Sequence, residues 1–308
     1  MSAPLITLTT DFGQADGYVG TMKGVILSRA THAQIIDLSH EIPPQGIAAG
    51  AFVLYRAYRY FPPRTIHVAV IDPGVGTARR ALLLMTGQGR FIGPDNGLFS
   101  YVLREAIALA AGWTGTPASV PAVWHPDFDL EAVLSTTARE RLPTAYALTN
   151  PAYWLEGPGA PARAAGVTFQ GRDLFAPVAA HLANGVAPAE LGQPVPLESL
   201  TLLPTSRPIR SPGVIEGRVI AVDHFGNLIS NIAAGLLPTL GPLDALQVSL
   251  GAYRLPGVHT TYSAAQPGQP LALINSAGLL EIAIREGHAA HQLGGRVSDT
   301  IFCRSASG

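Results

Sequence analysis

The sequence is short of charge. Of its 308 residues, 13% are Asp, Glu, Lys or Arg, against roughly a quarter in an average soluble protein. There is a single lysine, Lys23, and the formal net charge is −1. Such a chain has no basic field to attract nucleic acid and no block of one sign that would read as a solvated tail. Cysteine is almost absent. Cys303 stands alone, which excludes an intramolecular disulfide and a cysteine-ligated zinc site; a structural thiol near the C-terminus is expected. No run approaches the ~18 apolar residues of a membrane span. The opening "MSAPLITLTTDF" lacks both the charged start and the apolar stretch of a signal peptide. A cytoplasmic, reduced setting is therefore expected, with no membrane and no nucleic-acid partner. Two catalytic signatures are missing as well. There is no G-x-S-x-G nucleophile elbow, and His288 and His291 lack the Glu of an H-E-x-x-H metal helix.

What is present is apolar. The 47% hydrophobic content allows a sizeable core, in one large or two ordinary domains. The first half alternates two periods. "PLITLTT" (4–10), "QIIDLS" (34–39), "TIHVAVI" (65–71) and "ALLLMTG" (81–87) read as strands. "GYVGTMKGVILSRA" (17–30), "IAAGAFVLYRAYRYF" (47–61) and "NGLFSYVLREAIALAAG" (96–112) read as helices. Apolar strands spaced by helices predict an α/β domain with a central, mostly parallel sheet. Residues 113–143 break this rhythm and read as an insertion or long surface loop; His125, Asp127 and Asp129 in "HPDFD" could ligate a metal, but a solvated loop accounts for them. "AYALTN" (145–150) resumes the sheet. "RDLFAPVAAHLANG" (172–185) reads as a helix that Pro177 kinks or shortens. A Pro-rich linker, 191–213, closes a first domain of 1–190. Short β-type runs over 214–308 predict a smaller antiparallel barrel or sandwich.

Three carboxylates fall at strand ends, where open α/β sheets bind ligands: Asp11, Asp37 and Asp72. Each alone could merely cap a turn. "VIDPGVGTARR" (70–80) resembles a phosphate loop but fails as one. A P-loop needs Lys and Ser or Thr after its last Gly, and a dinucleotide fingerprint needs a third Gly before a helix. Here Gly76 leads to Arg79, Arg80 and a strand, so Gly74 and Gly76 are turn residues.

Seven segments in order carry a resemblance: "TTDFGQADGYVGTMKG", "DLSHEIPPQGIAAGAFVL", "VIDPGVGTARR", "GPDNGLFSYVL", "TFQGRDLFAPVAAHLANG", "VDHFGNLISNI" and "INSAGLLEIAI". Together they resemble the S-adenosyl-L-methionine (SAM) hydrolases, or SAM hydroxide adenosyltransferases, relatives of the fluorinase and chlorinase. The likeness spans nearly the whole chain. It implies an α/β domain joined to a C-terminal β-barrel, and a homotrimer with SAM bound between subunits. It also implies attack of water or hydroxide at the ribose C5′, giving adenosine and L-methionine. SAM is then the substrate; no cofactor and no metal are expected.

The resemblance also implies roles. Asp72 and Arg79 match two of an Asp-Arg-His set around the attacking water. The third position holds Gln170 in "TFQGRD", where the family reads His; Gln can donate and accept hydrogen bonds but does not titrate near neutrality. Asp11, and with it Asp16, matches contacts to the ribose. Phe225 and Asn227 match groups that stack on and hydrogen-bond to adenine. Asp223 matches the group facing the methionine ammonium, and Ser276 a contact to its carboxylate. Gln45 stands where the halogenases have Trp. A second reading follows from Gln170: a SAM- or adenosine-binding protein with weak or lost turnover. A third, halogenation, is opposed by the fixed charge of Asp72 beside a dehydrated halide.

Overall fold

The structure, a computed structural model, describes residues 3–115, 119–155, 168–204 and 207–305. It divides into two compact units, one of residues 1–111 with 131–203 and one of 112–130 with 204–308.

The first is an α/β unit. Its strands are β1 (Leu5–Thr10), β2 (Gln34–Ser39), β3 (Ile66–Val70), β4 (Ala81–Thr86), β5 (Gly89–Pro94), β6 (Thr144–Ala147) and β7 (Gln193–Val195). They lie in the order β2-β1-β3-β5-β4-β6-β7. The four from β2 to β5 run parallel, and β4, β6 and β7 add antiparallel pairings. The helices are α1 (Tyr18–Arg29), α2 (Ile47–Ala57), α3 (Ser100–Ala111), α4 (Leu130–Thr136), α5 (Ala176–Ala183) and α6 (Pro188–Leu191). One sheet face carries Ile6, Leu8, Val68 and Val70, which pack with Met22 and Ile26 of α1 and Val178 and Leu182 of α5. The alternate positions point to the other face, as the strand period requires. There His67 stacks on Phe91 at 4.9 Å and meets Tyr58 edge-on.

Strand β5 is unexpected. Its "GRFIGP" carries two glycines and a proline, which hide a β run, yet it forms a hairpin with β4 across Gly87 and Gln88. Pro177 does not break its helix either. A π turn over Gly171–Phe175 runs directly into α5. Pro177 has no N–H for the Asp173 carbonyl four residues back, and that carbonyl accepts instead from the Leu155 N–H at 2.8 Å.

The second unit is an antiparallel sheet: β8 (Ile209–Ser211), β9 (Val214–Val222), β10 (Leu228–Ala233), β11 (Leu246–Leu250), β12 (Tyr253–Pro256), β13 (Pro270–Ile274), β14 (Leu279–Ile284) and β15 (Thr300–Ser305), with helix α7 (Ala289–Leu293). The order is β12-β11-β15-β9-β10-β14-β13, with β8 on β9. Just past β12, His259 exchanges backbone hydrogen bonds with β13. This nearly closes the sheet into a barrel. Cys303 is buried in β15, and burial pushes its thiol up to about 12.

The expected surface insertion needs correction. Residues 112–130 belong to the barrel unit, and Val120, Val123, Trp124, His125 and Phe128 are buried in it. Trp113 packs edge-on against both His125 and Phe128. The apolar residues here follow neither the helix nor the strand period, so the pattern concealed their burial. The stretch read as a linker also holds β7 and β8, each paired in a sheet.

Candidate active site

The chain leaves β1 for β2 on one side, then returns across β1 to β3 on the other. Neighbouring parallel strands whose connections diverge leave a crevice at their carboxyl ends, the usual ligand position in such sheets. Asp11 follows β1 and Asp72 follows β3, so the topology brings these two carboxylates to that crevice.

Two successive turns shape the loop after β3. Val75 N–H donates to the Asp72 carbonyl and Thr77 N–H to that of Gly74. Gly76 sits at φ 81°, a left-handed conformation that glycine adopts without strain. The reversal returns Arg79 to Asp72. Arg79 Nε donates to Asp72 Oδ1 at 2.9 Å, and its NH2 group donates to Asp72 Oδ2 and to Gln170 Oε1. Both charged side chains are largely buried, Asp72 at 5% exposure and Arg79 at 12%. Because Arg can only donate, it fixes the Gln170 amide with its oxygen inward and leaves the Nε2 group to donate elsewhere. Gln170 immediately precedes the π turn, a local irregularity frequent at functional sites. Asp72 and Gln170 line a cavity of about 250 Å³ walled by Phe12, Tyr18 and Phe169. The three rings pack edge-on, with centroids 5.0–6.0 Å apart. The twin arginines thus separate: Arg80 turns to Asp95 and to Ser199.

Asp11 accepts from the Gln45 backbone N–H at 2.7 Å. Gln45 is one of few non-glycine residues at positive φ, 64°, a conformation that is uncommon outside glycine. Asp16 is exposed in the loop before α1. In the barrel unit, Asp223 organises the turn between β9 and β10. Its Oδ1 accepts from the N–H groups of Phe225 and Asn227, and its Oδ2 from the Asn227 amide at 3.0 Å. Phe225 stands on that turn 71% exposed, while Asn227 is buried. Ser276 is exposed at the tip of the β13–β14 hairpin, where Asn275 Oδ1 holds the backbone of Ala277 and Leu279.

The sequence pattern of the SAM hydroxide adenosyltransferase N-terminal domain matches residues 6–140, and that of the C-terminal domain residues 217–302. A protein of Salinispora arenicola named (R)-S-adenosyl-L-methionine hydrolase is 40% identical, over 95% of this chain and 94% of its own. One of the same name from Thermus thermophilus is 37% identical, over 92% and 93%. The chain belongs to the SAM hydroxide adenosyltransferase family. A protein of Actinoplanes sp. named fluorinase is more distant, at 26% identity over 91% and 90%. The crystal structure of a Thermotoga maritima protein, 30% identical, has the same fold with a TM-score of 0.78, covering 97% of this chain and 99% of that one.

In this SAM hydroxide adenosyltransferase family member the third strand-end carboxylate, Asp37, is committed elsewhere. Burial alone would raise its pKa, but hydrogen bonds from Lys23 at 2.6 Å and from His40, with their charges, hold it below the usual value. His40 in turn shares a 2.8 Å hydrogen bond with Thr10 and accepts at its carbonyl from Gly13 N–H. The lone lysine therefore starts a chain, Lys23–Asp37–His40–Thr10, that braces the loop carrying Asp11. Sequence reasoning missed this brace; "DLSH" gives an Asp-x-x-His spacing, but nothing in it fixes which way either side chain turns. Among the described residues no group of three His, Cys, Asp or Glu side chains could hold a metal. No helix there is long and apolar enough to cross a membrane.

Proposed function

We infer that this chain hydrolyses SAM to adenosine and L-methionine. The observation that carries the reading is the Asp72 carboxylate, clamped by Arg79 beside Gln170 at the mouth of an aromatic-walled cavity at the switch point of the sheet. The sulfonium of SAM leaves as a neutral thioether, so no acid is needed on that side. The demand falls on the nucleophile: one water, in line behind C5′, out of bulk solvent. Asp72 accepts a proton of that water as the C5′–O bond forms and the C5′–S bond breaks, its electrons passing to sulfur. General-base help of this kind contributes roughly 10²–10⁴-fold. Arg79 orients the carboxylate through two charge-assisted hydrogen bonds. Gln170 donates from Nε2 and so positions the oxygen without titrating. Asp11 and Asp16 take the ribose side, Phe225 and Asn227 the adenine, and Asp223 and Ser276 the methionine end.

The binding-protein alternative is not favoured, because the named hydrolases at 34–40% identity cover most of the chain. We propose further that the working form is a homotrimer in which neighbouring subunits share each SAM. Sedimentation velocity at micromolar concentration tests this: a trimer is expected, and a monomer that turns over SAM would contradict it. The test of the function is incubation with SAM, with and without chloride, and separation of products against a no-enzyme control. Equal adenosine and methionine, independent of chloride, are expected. Intact SAM or a halide-dependent nucleoside would overturn the reading.

A further inference from the structure

The amino ends of the same sheet, opposite the Asp72 crevice, open into a much larger cleft of about 1190 Å³. It is bounded by the starts of β1, β2 and β3, by Arg90 on β5, and by the end of α5 with the turn that follows. Among the described residues its charged lining is of one sign: Arg64 and Arg90 both line it with His32, and none is acidic. Neither guanidinium has a hydrogen-bond or ion-pair partner among the described residues. They lie close enough that, after burial, the charge of Arg64 helps hold the Arg90 guanidinium below its ordinary value. Two like charges turned into one cleft without a counter-charge cost stability, which a bound anion would recover.

The usual structural uses of such arginines are already filled. The carbonyls at the end of α5 need no cation: those of Ala180, His181 and Leu182 accept from the N–H groups of Asn184, Val186 and Gly185. Glu190, two residues past the lining Pro188, is also occupied, since it accepts from the Ala187 N–H and the Tyr153 hydroxyl. Thr65 adds a separate sign. It lines the cleft, is 1% exposed, and its hydroxyl has no partner among the described residues, although buried polar groups are nearly always satisfied. Apart from Gln34 and Asn184, the rest of the described wall is apolar, with Leu5, Ile66, Met85 and Leu182.

We propose that this cleft is a second ligand site, for an organic phosphate. Its phosphate lies between Arg64 and Arg90, where guanidinium groups recognise phosphate oxygens, and its carbon body lies on the apolar wall. The volume suits a nucleotide-sized molecule.

Isothermal titration of the full chain with uridine 5′-diphosphate tests the proposal, since this probe lacks the adenine read by the SAM site. Saturable binding with one site per chain is expected. Inorganic pyrophosphate should compete, and uridine should not bind. Arg64→Ala and Arg90→Ala should each weaken binding roughly tenfold or more, with SAM turnover unchanged. Arg64 is exposed, so Arg64→Glu keeps the test open should an Arg90 variant misfold. The proposal is overturned by an absence of saturable binding at millimolar probe, by equal binding of uridine, by failure of pyrophosphate to compete, or by unaltered affinity in folded Arg64→Glu.

Discussion

Asp72 and Phe225 are proposed to meet one small molecule, yet their surroundings are opposite. Asp72 is 5% exposed and held by two hydrogen bonds from a largely buried arginine. Phe225 is 71% exposed, and its ring meets the edge of His224. Each is positioned by a different means. The α/β unit fixes a side chain through buried charge, whereas the barrel unit fixes a backbone turn through Asp223 and leaves the ring standing free. Chemistry at C5′ tolerates little misplacement, so its groups are set by folding itself. Recognition of a flat base needs only an available aromatic face. The first arrangement should fail in rate and the second in binding.

The largest effect that could break this contrast is at Asp72. Asp72→Asn should lower kcat roughly 10²–10⁴-fold while SAM affinity, read by calorimetry, stays within a few-fold. An unchanged rate would remove the general base from the mechanism. Acid stability sharpens the same contrast, because the α/β unit carries a buried histidine behind its site. Burial lowers His67 from 6.5 to about 4, so His67 is neutral when folded but protonates in the unfolded chain. The unfolded state then binds the extra proton first, and stability falls as pH drops from about 6.5 to about 4. The loss is on the order of 3 kcal/mol. Urea unfolding against pH should show it, and His67→Gln should flatten that segment of the curve.

Phe225→Ala should raise KM by the worth of one base-stacking contact, about 1–3 kcal/mol, with kcat little changed. A collapse in kcat with KM preserved would assign the ring to chemistry and erase the contrast. The smallest effect is expected at Gln170. Histidine can likewise accept from Arg79 with one nitrogen and donate with the other, so Gln170→His should change kcat by less than about threefold. Gln170→Leu, which can do neither, should cost more. A large gain from His would mean that proton transfer, not orientation, is what this position supplies.

Much of this was legible beforehand. The first three strands and helices of the α/β unit announced themselves because their apolar periods are clean and their turns short. The Asp72 loop, Arg79 and Gln170 were legible through the order of the motifs, although Gln170 lies 91 residues from Arg79. Three things were hidden. β5 is masked by Gly and Pro. The stretch around Trp124 and His125 buries an irregular apolar pattern that reads as loop. The clamp of Gln45 on Asp11 depends on a backbone dihedral that residue type does not predict. His67 does not stand out, because a histidine in an apolar run looks the same whether or not it is functional, and His40 does not, because its partners Asp37 and Thr10 are fixed only by the fold.

Water activated at Asp72 is proposed to attack C5′ of SAM. Turnover in ¹⁸O-enriched water, with mass analysis of the products, tests it directly. One label is expected in adenosine, on the 5′-oxygen, and none in methionine. Unlabelled adenosine, or a labelled fragment derived from the methionine chain, would place the attack elsewhere and contradict it.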